Sequence, residues 1–148
     1  MKADPWPSAT TEDYLERIHE LILEKGYARA VEIAAALRIR QPSVTAMVQK
    51  LAESGYLNYE KYRGITLTEK GARVAAAIRE RHMILERFFV LLNLPPTTRD
   101  KDIEGIEHCL SPETLASLAG LVDFFESRPD VLREFARLRQ RTVRKRED

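Results

Sequence analysis

Glu104, Glu107 and His108, in the run Asp102-Ile-Glu-Gly-Ile-Glu-His108, stand at i, i+3 and i+4, a spacing that stacks three metal-ligating side chains on one helix face. Two more acids, Asp13 and Glu16, lie three apart on a segment that reads as the first helix, and His82 falls on a long helix between the two groups. The set holds four carboxylates and two imidazoles, with no thiolate or thioether. Oxygen with borderline nitrogen suits manganese or ferrous iron better than copper or a structural zinc. Four carboxylates converging in a partly dry pocket repel one another. Two divalent cations would balance their charge and draw distant segments together, which gives the set the character of a switch.

Each residue taken alone has a plainer role. Asp13 follows Thr10 and Thr11 where a helix should start, and an acid there caps the helix or complements its dipole. Glu16, Glu104 and Glu107 can each be solvated charges, and His82, ahead of Met83-Ile-Leu85, can be a hydrogen-bonded histidine near the core. The constellation, not any single member, points to metal.

The elements that must position these groups begin with a helix over 11–25. A basic segment follows from Arg29 to Arg63, carrying Arg29, Arg38, Arg40, Lys50, Lys61 and Arg63 against Glu32, Glu53 and Glu60. Its buried pattern is that of a helix-turn-helix. Ala30 to Leu37 forms a short helix with Ile33, Ala34 and Leu37 inward, Arg38 to Gln41 form the turn with Ile39 as its buried plug, and Pro42 opens the next helix at a favoured first position. On that second helix Val44, Met47, Val48 and Leu51 share one face, and Gly55 supplies a left-handed cap. The opposite face shows Gln41, Ser43, Thr45, Ala46, Gln49 and Lys50, short polar or small groups able to approach base edges in a major groove. The expected DNA-contacting residues are Arg40, Gln41, Pro42, Ser43, Thr45, Gln49 and Lys50, joined by two cations on the next element.

That element is a wing. Tyr56-Leu-Asn-Tyr-Glu-Lys-Tyr62 and Ile65-Thr-Leu-Thr68 alternate as strands around a turn at Arg63-Gly64. Lys61 and Arg63 near its tip are placed to meet phosphate, giving affinity rather than sequence choice.

Beyond the wing the sequence reads as entirely helical. Thr68 caps a long helix to about Leu92, with Val74, Ile78, Leu85, Phe88, Phe89 and Leu92 as its apolar stripe, and Asn93-Leu-Pro-Pro96 stops it. A helix from about Thr98 to Leu110 carries Glu104. Ser111-Pro112 opens another, and Asp130 begins a last one through Arg144, whose end runs into a basic stretch, Arg139 to Arg146, which reads either as a basic extension near DNA or, the expectation adopted, as an end that frays in solvent. The apolar stripes of this half exceed what it can bury alone, which predicts a homodimer and, by symmetry, a palindromic operator. The expected fold class is therefore mainly α: a winged helix-turn-helix domain over 1–70 and an all-helical metal-binding and dimerisation domain over 71–148, with the first helix lending ligands to the second.

Composition fits this frame. A chain of 148 residues holds one domain with a sizeable core or two small lobes, and is too short for a large multi-domain enzyme. One cysteine leaves no intramolecular disulfide and suits a reducing cytosol. No apolar run approaches ~20 residues, and Met1-Lys-Ala-Asp-Pro-Trp-Pro7 lacks a signal-peptide core, so a cytoplasmic protein without membrane partners is expected. The net charge of +1 carries no global nucleic-acid signature; the local basic segment does.

Taken together, Ala28 to Leu37, Pro42-Ser-Val-Thr-Ala-Met-Val-Gln-Lys-Leu51, Tyr59-Glu-Lys-Tyr-Arg-Gly64 and Glu104-Gly-Ile-Glu-His108 resemble the diphtheria toxin repressor family, and within it the short, manganese-responsive branch. The resemblance runs from about Thr11 to the end. It implies a manganese-responsive repressor, not an enzyme: a homodimer activated for operator binding by Mn2+, two per protomer, with other divalent cations as possible activators, controlling metal-uptake genes. It assigns the ligands to Asp13, Glu16, His82, Glu104, Glu107 and His108. The iron-responsive branch carries a methionine at the position of Asp13 and a cysteine at that of Glu104, and usually continues into a third, SH3-like domain; this sequence has neither soft ligand and ends at Asp148. Cys109 departs from the branch, which commonly shows a second histidine there. Roughly 140° round a helix from Glu104, it is expected to be a buried, inert thiol.

Three other readings stay open at this stage. One is a repressor of the same family answering to iron or another divalent metal. Another is a winged-helix regulator of a small organic ligand, with the acids as surface charge. The last is a di-metal hydrolase or oxygenase, since clustered carboxylates and histidines also bridge metal pairs that activate water.

Overall fold

The computed structural model describes residues 6–60 and 62–147. Lys61, expected at the wing tip, lies outside the described residues. The chain forms two compact units, one up to Arg79 and one from Glu80 onward. In chain order the elements are α1 (Ala9–Lys25), α2 (Ala30–Leu37), α3 (Gln41–Glu53), β1 (Leu57–Glu60), β2 (Gly64–Leu67), α4 (Glu69–Leu91), α5 (Pro96–Ile106), a 3₁₀ turn (Glu107–Cys109), α6 (Pro112–Glu126) and α7 (Pro129–Glu147). Among the described residues no helix is long and apolar enough to cross a membrane.

The first unit is a winged helix-turn-helix built round one core. Leu15 and Ile18 from α1, Ile33 and Ala34 from α2, Val44, Val48 and Leu51 from α3, Leu57 and Ile65 from the hairpin, and Ile78 from the first half of α4 are all buried together. Ser8 caps α1 by accepting from the Thr11 amide at 3.3 Å. α1 thus begins two residues before the expected start. α2 has the expected bounds, and Arg38 ends it in the left-handed region at φ 56°. Ile39, expected as the buried plug of the turn, is instead 39% exposed; the left-handed step at Arg38 turns the chain, and Ala34 rather than Ile39 fills the space between the helices. Gly55 stands at φ 81° behind α3, the conformation a glycine cap adopts at low cost.

The wing is a two-stranded antiparallel hairpin in the register Leu57↔Leu67, Asn58↔Thr66, Tyr59↔Ile65 and Glu60↔Gly64. Its first strand ends at Glu60, short of the expected Tyr62, and Gly64 pairs in the second strand instead of forming the turn. Tyr62, at φ 75° and 93% exposed, takes the strained turn position. Ala28 and Ile65 add a bridge through hydrogen bonds of 2.9 and 2.8 Å, which ties the wing to the chain entering α2. Thr68 caps α4 by accepting from the Gly71 amide at 3.0 Å.

In the second unit Ile84 and Leu85 from α4, Ile103 from α5 and Val122 from α6 are buried. Arg87 on α4 reaches α6, meeting Asp123 at 2.8 Å and Glu126 at 2.5 Å. Ser111 caps α6 through the Thr114 amide at 3.1 Å, with Pro112 at the first position as expected. Phe125 and Phe135 join α6 to α7, ring centroids 5.4 Å apart. α7 is helical to Glu147, so the basic stretch from Arg139 to Arg146 is an ordered helix and not a frayed end. Met83, Val90, Leu121, Phe124, Leu138 and Val143 are between 43% and 55% exposed, an apolar surplus in this unit.

Candidate metal centre and nucleic-acid interface

α5 stops earlier than the spacing of Glu104, Glu107 and His108 predicted. The helix ends at Ile106, the Glu107 amide closes it on the Ile103 carbonyl, and Glu107–Cys109 continue as a single 3₁₀ turn. Ile103, fully buried, holds the end of α5 against the unit's core. The tighter turn, with about three residues per repeat in place of 3.6, re-aims the side chains that follow it. Glu104 stays exposed on α5, whereas Glu107 is 5% exposed and His108 half-buried. Glu107 keeps an αR backbone with its amide on the Ile103 carbonyl, so Glu104 and Glu107 remain one helical turn apart and differ in exposure. Cys109, the last residue of the 3₁₀ turn, is exposed, not buried as expected.

Glu107 gathers the two histidines of this unit. Its Oε2 lies 3.2 Å from His82 Nδ1, contributed by α4, and its Oε1 lies 3.8 Å from His108 Nε2. A buried carboxylate is retained only where partners replace its lost hydration; here the His82 imidazole is within hydrogen-bond reach, and His108 lies just beyond it. Deprotonated imidazole nitrogen and carboxylate oxygen together form a donor set of hard oxygen with borderline nitrogen, which fits a first-row divalent cation of the manganese or iron type. These three residues therefore fit the group that the sequence implied.

The two acids of α1 belong to the first unit. Asp13 is exposed and Glu16 half-buried. The capping role open to Asp13 in the sequence is filled by Ser8, and the acid of the first turn is Glu12. Glu12 is 2% exposed and accepts a hydrogen bond from Trp6 Nε1. The Trp6–Glu12 clasp was not read from the sequence, since neither residue sits in a periodic pattern that would pair them.

On the other side of the first unit α3 presents its polar face as expected. Arg40, Gln41, Pro42, Ser43, Gln49 and Lys50 are exposed, while Val44, Val48 and Leu51 are buried. Thr45 is half-buried and its hydroxyl donates to the Gln41 carbonyl at 3.1 Å. At the wing Arg63 is exposed and meets Glu60 at 3.2 Å. An exposed pair of this kind is worth at most about 1 kcal/mol, so a phosphate can displace it.

Comparison with known proteins agrees with both halves. The family model described as "Iron dependent repressor, N-terminal DNA binding domain" matches residues 8–65, and that described as "Iron dependent repressor, metal binding and dimerisation domain" matches residues 68–136. The HTH-type transcriptional regulator MntR of Listeria monocytogenes serotype 4a (strain HCC23) is 46% identical over 127 residues, covering 86% of this chain and 89% of that protein. That of Shouchella clausii (strain KSM-K16) is 47% identical over 131 residues, covering 86% and 92%. Among solved structures, the IdeR of T. acidophilum superposes with a TM-score of 0.66 at 29% identity, covering 76% of this chain and 53% of that one. The manganese regulator SloR gives 0.67 at 28%, covering 76% and 53%. The chain thus spans about half the length of these solved regulators. The relatives are transcriptional regulators, which sets aside the di-metal enzyme. With a winged helix-turn-helix and a helical half each matched by its own family model, the chain belongs to the iron-dependent repressor family.

Proposed function

We propose that this protein is a manganese-responsive repressor whose homodimer binds operator DNA and controls metal-uptake genes in the cytoplasm. The observation that carries the reading is the buried Glu107 carboxylate held between His82 and His108, a donor set without sulfur. The proposed ligands are Asp13, Glu16, His82, Glu104, Glu107 and His108, serving two ions per protomer. We retain the functional division into a DNA-binding segment, 1–70, and a metal-binding and dimerisation segment, 71–148. A bound divalent cation supplies the positive charge that offsets repulsion among the carboxylates. The chain does the rest. α1 is part of the core that holds α2 and α3, and it also carries Asp13 and Glu16, so any energy spent on ordering those acids is felt by the recognition helix. Coupling of this kind is typically about 1–3 kcal/mol, and operator DNA must tighten metal binding by the same factor.

The DNA contacts divide by chemistry. Gln41, Ser43, Thr45 and Gln49 read bases, with Pro42 setting the start of α3, while Arg40, Lys50, Lys61 and Arg63 meet phosphate. A two-fold dimer calls for a palindromic site.

The test is fluorescence anisotropy on promoter DNA from the host's manganese-uptake genes, at fixed salt, with chelator, manganese or ferrous iron. Tight binding with manganese alone is expected. Tight binding with iron alone would move the protein to the iron-responsive reading, and equal binding under chelator would leave a regulator of some other signal.

A further inference from the structure

The cations of α7 fall into register. Arg133, Arg137, Arg141 and Arg144 are separated by four, four and three residues, so they stack on one helix face with Lys145 at its edge. At 1.5 Å per residue the stripe is about 16 Å long. All five side chains are exposed, and Arg137, Gln140, Arg141 and Arg144 line a single shallow depression.

This face is charged beyond what the fold requires. Elsewhere Arg17, Lys25, Arg73, Arg87 and Arg99 each meet a carboxylate of a neighbouring turn or helix. None of the four stripe arginines has an ion pair with a described residue, and like charges at this spacing repel. The helix dipole favours cations only in the last turn, where Arg144, Lys145 and Arg146 sit; it does not account for Arg133, Arg137 or Arg141. The opposite side of α7 is already engaged, with Val131, Leu132 and Phe135 half-buried and Phe135 against Phe125. A helix lying in a membrane surface needs that apolar side free, and here only Leu138 and Val143 at its margins are open.

We propose that the Arg133–Arg144 face of α7 is a second phosphate-binding surface, which takes the backbone of duplex DNA without reading its bases. The inference rests on the DNA-binding reading above and extends it to the helical half. Guanidinium groups suit the task because each can grip a phosphate through two parallel N–H bonds. A 16 Å length of duplex axis carries roughly nine phosphates, enough to engage the whole stripe.

The experiment uses the full chain with manganese and compares wild type, R137Q/R141Q/R144Q and R137K/R141K/R144K. Affinity for operator DNA with long flanks and for a scrambled duplex of equal length is measured over a salt series. The Gln variant should bind both duplexes about tenfold or more weakly at low salt, and its plot of log affinity against log salt should be shallower by about 2–3 per protomer. The Lys variant should keep the wild-type slope. Unchanged affinity and slope in the Gln variant, with wild type binding normally, overturns this inference alone; wild type that binds no duplex takes down the DNA-binding reading with it. Two further outcomes also overturn it. One is loss of flotation with phosphatidylglycerol vesicles while DNA binding is unchanged, which would make the face a lipid surface. The other is loss of the dimer by sedimentation in the Gln variant, which would make it a subunit contact.

Discussion

The carboxylate of Glu107, 5% exposed, meets Nδ1 of His82 at 3.2 Å across 25 residues of sequence. One partner is buried and the other is open, its side chain 45% exposed. The acid is thus enclosed by the fold, while the imidazole is reached by solvent.

Replacing Glu107 by Gln keeps the shape and removes the charge. Manganese affinity should fall at least about 100-fold, given that partners merely supporting a ligand already cost 10–100-fold. The metal-free fold should survive, because Gln can still hydrogen-bond to His82. Metal titration followed by anisotropy, with circular dichroism as the control for folding, decides it. A variant that still represses in response to manganese would remove Glu107 from the ligand set.

Gly71 packs where no side chain fits. A Cβ built there lies 2.0 Å from the Tyr56 carbonyl oxygen and 3.0 Å from its carbon, and that carbonyl also accepts from the Thr68 amide at 3.0 Å. Backbone cannot yield as a flexible side chain does. Gly71→Ala should cost about 1–3 kcal/mol or more, the usual range for overpacking, and urea unfolding should show a lower midpoint. A loss below about 0.5 kcal/mol, the level of an ordinary surface change, would mean that α4 can slide away from the hairpin.

The sorting of α3 contacts makes opposite demands on two residues of that helix. Lys50→Ala should weaken binding to every duplex and reduce the salt slope by about 1. Gln41→Ala should change which bases are preferred and leave the salt slope alone, at about 1–3 kcal/mol of lost discrimination. Competition binding against single-base variants of the operator separates the two. A change of base preference in the Lys50 variant would reassign it to base reading.

How far the sequence carried depended on which physical signal each feature leaves. α2 and α3 were legible to the residue or nearly so, because Pro42, Gly55 and the Val44-Val48-Leu51 stripe act locally. The ligand types were legible too. Their juxtaposition was only half so, since an i, i+3, i+4 spacing reads as one α-helix and carries no sign of the switch to a 3₁₀ turn at Glu107. That turn is visible only in the fold, as is the exposure of Cys109. Ile39 misled for the same reason, an apolar residue being read as a plug where Arg38 adopts a left-handed conformation that only the folded turn imposes.

His19 supplies a pH dependence that belongs to the first unit and not to the metal ligands. Burial lowers its pKa below the usual 6.5, the Arg79 charge lowers it further, and Glu20 opposes both. The unfolded chain therefore binds the proton more readily than the folded one. Between the depressed folded value and 6.5, stability must rise with pH, so the contribution is present above 6.5 and is lost as pH falls through the folded value. Thermal melts of the metal-free protein on either side of that window should show a lower midpoint on the acid side. His19→Gln, with no proton to gain, should show a smaller drop. Arg79→Gln should narrow the window by letting the His19 pKa rise. Equal acid sensitivity in wild type and His19→Gln would show that His19 keeps its solvent-like pKa and that the destabilisation arises elsewhere.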